Sequence, residues 1–173
     1  MITFPFFLSR FWFLWRQYLT DRDRPDLDHL RNLTDPDRFL WSMLPHAART
    51  FGPCMLLLPQ HKAKAAAVGY LYCRCLDTYE DLAPEPGPLL KAFAQRFDEP
   101  TPTLAPTLSS PRIYDVRDEG HLLLVNCIDR IDAVYTTLSL SHRAAIARCV
   151  KDMARGMQDR SYSTLGELLS LIH

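Results

Sequence analysis

The sequence lacks an excess of charge of either sign, and it lacks the closely spaced cysteine pairs that bind metals. Its 20 basic residues balance its 20 acidic residues, so the formal net charge is zero. Nucleic-acid-binding domains normally have a basic excess, so we expect no nucleic-acid partner. The five cysteines contain no CxxC pair, and Cys73 and Cys75 point to different sides of a predicted helix. We expect buried free thiols in a reducing cytosol.

The first twenty residues lack acidic side chains and lack a long uninterrupted apolar run. They contain eight aromatic residues, with Arg10 and Arg16 placed among them. The arginines break the apolar run well short of the roughly 20 residues that a transmembrane helix needs, and the cleavage site of a signal peptide is missing. Aromatics with interspersed arginines are typical of a membrane-interface segment. An aromatic helix packed on the domain, or a mis-assigned start codon, explains the composition equally well. We treat residues 1–33 as a separate aromatic and charged N-terminal segment.

The rest of the chain contains no internal repeat and no convincing strand, and its apolar residues recur at helical spacing. At 173 residues the chain fits one domain with a sizeable core. We therefore predict an all-α domain over residues 34–173. Its predicted helices run from Pro36 to Pro45, over 60–82, 89–97 and 118–138, and from Ser141 through Met157, with a last helix beginning near Thr164. A short apolar turn over 54–58 and a proline-rich loop over 98–112 separate some of these helices. A charged hinge over 21–28 lies between the aromatic segment and the domain.

One predicted helix has four polar side chains on a single face. Tyr70, Arg74, Asp77 and Asp81 are three or four residues apart, and at about 3.6 residues per turn they form one stripe. Two carboxylates beside a cation and a phenol on a largely apolar helix are costly to bury without a partner. Mg²⁺ is a suitable partner, because it is commonly held by one or two carboxylates plus substrate phosphates. An ordinary exposed acidic patch is the alternative.

The run Leu76–Asp81, preceded by Tyr70 and Arg74, resembles the first aspartate-rich motif of the squalene/phytoene synthases. These enzymes are the head-to-head prenyl transferases, and the Leu-Asp-Thr-x-Glu-Asp pattern is closer to squalene synthases. The resemblance implies metal binding by Asp77, Glu80 and Asp81, diphosphate binding by Arg74, and a catalytic role for Tyr70 as an acid/base or cation stabiliser.

A second segment, Arg49-Thr50-Phe51, resembles the Ser-Arg-Ser/Thr-Phe segment that lies one helix before the aspartates in the same family. Ala48 stands here in place of the first serine. Arginine offers a planar fork that matches phosphate oxygens, and threonine offers a hydroxyl donor. The resemblance implies that Arg49 and Thr50 bind the substrate diphosphate and that Phe51 lines the prenyl pocket. A solvated surface arginine is the alternative for Arg49.

A third segment begins at Met153 and resembles the Met-Gly-x-Gly-Met-Ala stretch that lines the prenyl pocket of squalene synthases. This chain departs from that pattern at Ala154 and Arg155. Glycine in a helix costs about 1 kcal/mol relative to alanine, so it usually marks close packing or room for a ligand. The resemblance implies that Met153, Gly156 and Met157 line the prenyl pocket, and ordinary core packing is the alternative for the two methionines.

The family resemblance implies a partial isoprenoid-synthase helical fold and one reaction. Two farnesyl or geranylgeranyl diphosphates condense head to head in a helical cavity, with their diphosphates on Mg²⁺. Squalene synthases then reduce the product with NADPH and phytoene synthases do not, so the use of NADPH stays open. The implied partner is a prenyl diphosphate. We expect a cytoplasmic protein, and peripheral membrane contact through residues 1–20 stays open.

The family uses a second aspartate-rich motif, which this chain lacks. The stretch Thr164–Leu168 resembles the approach to that motif, while Asp129 and Asp132 do not match the family pattern. The resemblance therefore covers residues 34–173 here but only about the N-terminal half of a synthase. We expect an incomplete and inactive synthase whose exposed apolar surface promotes self-association. Two alternatives are a non-catalytic relative that binds prenyl diphosphate or acts in assembly, and an unrelated helical interaction module.

Overall fold

The protein is all-α, as predicted. The computed structural model describes residues 24–48, 51–55 and 57–158, and these residues form helices and connecting loops without a strand. The helices are α1 (Leu27–Asn32), α2 (Pro36–Ala48), α3 (Phe51–Met55), α4 (Gln60–Leu82), α5 (Pro86–Gln95), α6 (Val116–Asn126), α7 (Ile128–Thr136) and α8 (Leu140–Gln158). The helix predicted near Thr164 and the aromatic segment before Arg24 lie outside the described residues.

Helix α4 is the centre of the domain. It packs against α2, α5, α6, α7 and α8, and one of its sides is fully buried along its length, including Val68, Leu71, Cys75 and Leu76. The helix begins after Pro59, and its last residue, Leu82, is followed by Pro84 in the loop and by Pro86 at the start of α5. Its observed bounds are those predicted from the sequence.

Helix α2 continues beyond the proline at which the sequence predicts its end. Its start is as predicted, because the Asp35 carboxylate accepts a hydrogen bond from the backbone N–H of Arg38 at 2.8 Å. Pro45, however, lies inside the helix, which ends at Ala48. A proline removes one backbone donor from a helix. In the last turn of α2 that loss is local, and Pro45 itself is buried in the core.

The predicted single helix over 118–138 is wrong, because the chain forms two helices there. Cys127 separates α6 from α7, and its backbone dihedrals, φ −112° and ψ 24°, are not helical. Its N–H still bonds to the carbonyls of Leu123 and Leu124, which closes the end of α6. Neither glycine nor proline marks this position. Helical spacing on both sides of Cys127 therefore conceals the break.

Helix α1 is a third departure from the prediction, since it forms partly within the predicted charged hinge. The Asp26 carboxylate accepts from the backbone N–H of His29 at 2.9 Å and caps the helix. Leu30 is buried in the common core, and Arg130 of α7 donates to the carbonyl oxygens of Leu30 and Arg31 at 3.0 and 2.9 Å. These contacts attach α1 to the domain.

Two of the five cysteines do not follow the expectation of buried thiols. Cys75 and Cys127 are buried as expected, and Cys73 is half-buried, but Cys54 and Cys149 are exposed.

In the part of the chain that the structure describes, no helix is both long enough and apolar enough to cross a membrane.

Candidate functional site

Arg74 connects the members of the polar stripe on α4. Its Nη2 donates a hydrogen bond to the hydroxyl oxygen of Tyr70 at 3.2 Å, and its Nη1 lies 3.2 Å from Oδ2 of Asp77. The side chains of Arg74 and Asp77 keep 24% and 30% of their surface exposed. The structure thus brings together Tyr70, Arg74 and Asp77 on a partly open face, as their spacing predicts.

Tyr70 joins this face to the preceding helices. Its hydroxyl donates to the backbone carbonyl of Ala47, at the end of α2, over 3.5 Å. Its ring stacks on that of Phe51 in α3, with ring centroids 6.1 Å apart and planes 28° apart. Phe51 is 62% exposed. The structure therefore places the predicted pocket residue Phe51 beside the predicted catalytic residue Tyr70.

Asp77 and Asp81 are close enough to influence each other electrostatically. Partial burial raises the pKa of Asp77, the adjacent Arg74 guanidinium lowers it, and the Asp81 carboxylate raises it further. Asp81 itself is exposed. Burial and a second carboxylate both disfavour the charged form of a carboxylate. A bound cation stabilises that charged form. The two aspartates are therefore a suitable pair of ligands for a divalent ion.

Glu80 does not lie on the same line as the two aspartates. At about 3.6 residues per turn it is displaced roughly 60° around the helix from Asp77 and 100° from Asp81. Across residues 24–48, 51–55 and 57–158, no three His, Cys, Asp or Glu side chains are grouped so as to hold a metal ion by themselves. Metal binding by Asp77, Glu80 and Asp81 stays a prediction, and the described residues do not complete a coordination shell by themselves.

The remaining predicted residues fall into two groups. Arg49 and Thr50 lie outside the described residues. Met153 and Met157 are partly buried and pack against the core, while Gly156 is exposed, and an added Cβ there would have no described atom within 4 Å. Among the described residues, no hydrogen bond, ion pair or ring contact joins these three α8 residues to the stripe on α4.

Helix α8 approaches α4 through other residues. A Cβ added at Gly69 would lie 3.5 Å from Cγ1 of Ile146. One turn further along both helices, Cys149 lies near enough to Cys73 to interact with it electrostatically. Burial and Cys149 raise the pKa of Cys73 to about 12, and the nearby Asp77 contributes to that shift. The Cys73–Cys149 pair therefore adjoins the predicted site.

His121 is a site residue that the sequence did not indicate. It is half-buried on α6, and α6 packs against α4. Burial lowers the pKa of His121, and the Arg74 cation lowers it further, against the opposing influence of Asp118 and Asp115. Burial and the Arg74 charge both favour the neutral form of the imidazole. No local motif surrounds His121, so only the packing of α6 on α4 reveals its position.

A buried ionic network is the second feature that the sequence did not indicate. Arg96 is almost fully buried, its Nη2 pairs with Oδ2 of Asp132, and its Nε donates to the carbonyl of Thr103 at 2.7 Å. The Tyr72 hydroxyl donates to Oδ1 of Asp132 at 2.8 Å. The Arg96 guanidinium also lies 5.0 Å from the ring centroid of Phe93. This network joins α4, α5 and α7 inside the core.

A scan against protein-family models matched no family, and searches of curated proteins and of solved structures found no match to this chain. The resemblance to the squalene/phytoene synthases therefore rests on the sequence motifs alone.

Proposed function

We propose that the stripe of Tyr70, Arg74, Asp77 and Asp81 binds the diphosphate group of a prenyl diphosphate together with Mg²⁺. The proposal assigns the chain to squalene/phytoene-synthase-like proteins, whose reaction is the head-to-head condensation of two farnesyl or geranylgeranyl diphosphates. It is a proposal about binding, because the described residues offer one pair of carboxylates on this face and the family reaction needs two metal–diphosphate clusters.

The observation that supports it most is the position of Arg74. Its guanidinium contacts Tyr70 and Asp77 at the same time, at 3.2 Å each. Within the described part of the chain, its buried Nε has no hydrogen-bond partner. A guanidinium held between a phenol and a carboxylate is oriented before a ligand arrives, and its planar fork suits phosphate oxygens.

Asp77 and Asp81 fit the requirements of Mg²⁺, which usually takes one or two carboxylates and completes its coordination with substrate phosphates and water. When bound, the ion supplies charge stabilisation for a departing diphosphate. Arg74 would neutralise part of the diphosphate charge directly. Tyr70 would hold Arg74 in place and present its phenol near the same face, with the exposed ring of Phe51 beside it for an apolar chain.

A second candidate is a helical interaction module without a diphosphate ligand. The observation that favours it is the Arg74–Asp77 ion pair, in which each charge already has a partner. Phe51, Leu57 and Leu58 are also exposed, and exposed apolar residues suit contact with another protein. This candidate predicts that neither Mg²⁺ nor a prenyl diphosphate binds.

The test is calorimetric titration of the full chain with a non-hydrolysable farnesyl diphosphate analogue, with and without Mg²⁺. We expect binding that requires Mg²⁺ and weakens at least tenfold in Asp77→Asn and in Asp81→Asn. Asn keeps the shape of Asp and removes the charge that the metal needs.

Asp129→Asn is the matched control, because Asp129 is an exposed acid on α7, away from the stripe. It should bind the analogue as the unmodified chain does. Absence of binding, or binding that is equal in all three variants, would contradict the proposed function and favour the interaction module.

A further inference from the structure

An open cleft lies between α5 and α8, and none of its described lining residues belongs to α4. Its volume is about 530 Å³, which is within the range of small-molecule sites. Two small residues, Ala94 and the fully buried Ala154, leave space between the helices. The polar lining residues are Lys91, Gln95, Asp98, Lys151, Arg155 and Gln158. Cations and amides outnumber the acid, so the cleft favours an anion.

The two helices run antiparallel along this cleft. Nζ of Lys151 lies 2.7 Å from Oδ1 of Asp98, and Nη1 of Arg143 donates to the backbone carbonyl of Pro100 at 3.3 Å. As the chain advances from residue 98 to residue 100, its partner on α8 therefore moves back from residue 151 to residue 143. Lys91 is about two turns before Asp98, so it lies toward the last residues of α8 that line the cleft.

Two cations at that end of the cleft are available to a ligand. Lys151 pairs with Asp98, whereas Lys91 has no ion-pair partner among the described residues. Arg155 pairs with Asp152, one turn earlier on α8, at 3.2 Å, and the two side chains are 75% and 58% exposed. An ion pair this exposed contributes little. With three cations and one acid, the described lining carries a net charge of +2.

We infer that this cleft binds the phosphate group of a small phosphorylated molecule. A phosphate monoester carries about 1.5–2 negative charges at pH 7, which matches the charge of the lining. Arginine presents a planar fork to phosphate oxygens and lysine a compact charge. The amides of Gln95 and Gln158 are further donors. The cleft is much larger than a phosphate ion, so the organic part of the ligand has space over Ala94 and Ala154.

The inference does not depend on the proposed function. The stripe on α4 binds its ligand through Mg²⁺, whereas the cleft between α5 and α8 contacts phosphate directly with its own cations. A titration in the presence of a chelator therefore measures the cleft alone. Asp77→Asn, which should abolish Mg²⁺-dependent binding at the stripe, should leave binding at the cleft unchanged.

The test is an NMR titration of the full chain in a chelator and a phosphate-free buffer, with ribose 5-phosphate, inorganic phosphate and ribose as probes. We expect ribose 5-phosphate to shift amides over residues 91–98 and 151–158, inorganic phosphate to bind more weakly, and ribose not to bind. Lys91→Gln and Arg155→Gln should each weaken binding of ribose 5-phosphate at least fivefold. Asp98→Asn should strengthen it, because it removes a competing carboxylate and releases Lys151.

Arg148→Gln is the matched control, because Arg148 is an exposed arginine on α8 outside the described lining of the cleft. It removes the same charge as Arg155→Gln, and it should bind ribose 5-phosphate as the unmodified chain does. Equal weakening in these two variants would show a general attraction of anions to the surface and would overturn the inference. Absence of shifts with both phosphate probes would overturn it as well. Equal affinities for inorganic phosphate and ribose 5-phosphate would contradict a ligand with an organic part.

Discussion

Arg74 is the residue that joins the two parts of the polar stripe. The spacing of Tyr70, Arg74 and Asp77 predicts their contact, because residues three and four apart face each other on a helix. The structure confirms both contacts of Arg74. His121 could not be predicted in the same way, since its neighbour Arg74 is on another helix and the sequence does not say which helices meet.

His121 should make the stability of the protein depend on pH. Its pKa in the folded chain lies below the ordinary value of 6.5, mainly because of burial. Below pH 6.5 the unfolded chain therefore binds a proton that the folded chain resists. The free energy of unfolding should fall as pH drops below this value, and the loss should be smaller in His121→Gln.

Urea unfolding at pH 7.5 and pH 5.5 measures this difference, and comparison of the variant with the unmodified chain cancels the other titrating groups. Titration of the His121 imidazole by NMR provides the direct check. A pKa at or above 6.5, or the same pH dependence in both proteins, would show that the imidazole is not held neutral by its surroundings.

The helices differ in how well the sequence predicts them. The bounds of α4 are predicted correctly, because Pro59 precedes it and several prolines follow it. The division between α6 and α7 is not predicted, because Cys127 is neither a glycine nor a proline and the apolar spacing continues across it. The extension of α2 past Pro45 is also not predicted, because the proline was expected to end the helix. A proline in the last turn removes only one backbone hydrogen-bond donor, so the helix continues to Ala48.

Replacing glycine by alanine should change the stability of the protein differently at two positions on different helices. Gly156 on α8 is exposed, and an added Cβ would have no described atom within 4 Å. At Gly120 on α6, an added Cβ would lie 3.0 Å from Cγ of the buried Pro25. Because alanine favours helix more than glycine does, we expect Gly156→Ala to raise the free energy of unfolding by about 0.5–1 kcal/mol.

The free energy of unfolding should rise clearly less in Gly120→Ala than in Gly156→Ala, or should fall, because Pro25 has to move to make room for the added Cβ. Urea unfolding of the two variants side by side gives the comparison. Equal gains in both would mean that α6 and the segment at Pro25 are not packed closely. A loss in Gly156→Ala would mean that its surface is covered by part of the chain beyond the described residues.

At the scale of the whole molecule, the Arg96–Asp132 pair holds together helices from three parts of the chain. Breaking a buried ion pair by removing one partner typically costs about 3–5 kcal/mol, since the other charge stays buried without compensation. We expect Asp132→Ala to lower the free energy of unfolding by about this amount. Tyr72 would lose its hydrogen-bond acceptor in the same variant.

Asp129→Ala is the matched control, because Asp129 is exposed and lies one turn earlier on α7. The free energy of unfolding of Asp129→Ala should fall by no more than about 1 kcal/mol, the usual size of a charge effect at a helix N-terminus. Urea unfolding of both variants distinguishes them. Similar losses at the two positions would contradict the assignment of Asp132 to a buried network that stabilises the fold.

The all-α class and the local part of the candidate site could thus be predicted from the sequence. The long-range part could not. The pairing of Arg96 with Asp132 and the approach of His121 to Arg74 both join residues that are far apart in the sequence. Helical spacing determines which face of each helix is buried, and it does not determine which helix covers that face.

The most direct test of the central proposal locates the metal on α4. Mn²⁺ has ligand preferences similar to those of Mg²⁺, and it broadens the NMR signals of nearby amides. With the farnesyl diphosphate analogue and Mn²⁺ present, we expect broadening centred on the amides of Arg74 to Leu82. Amides near Ala63, roughly 21 Å from Asp77 along the same helix, should keep their intensity, and Asp77→Asn should abolish the effect. Broadening centred elsewhere, or broadening unchanged in Asp77→Asn, would contradict a metal–diphosphate site on this face.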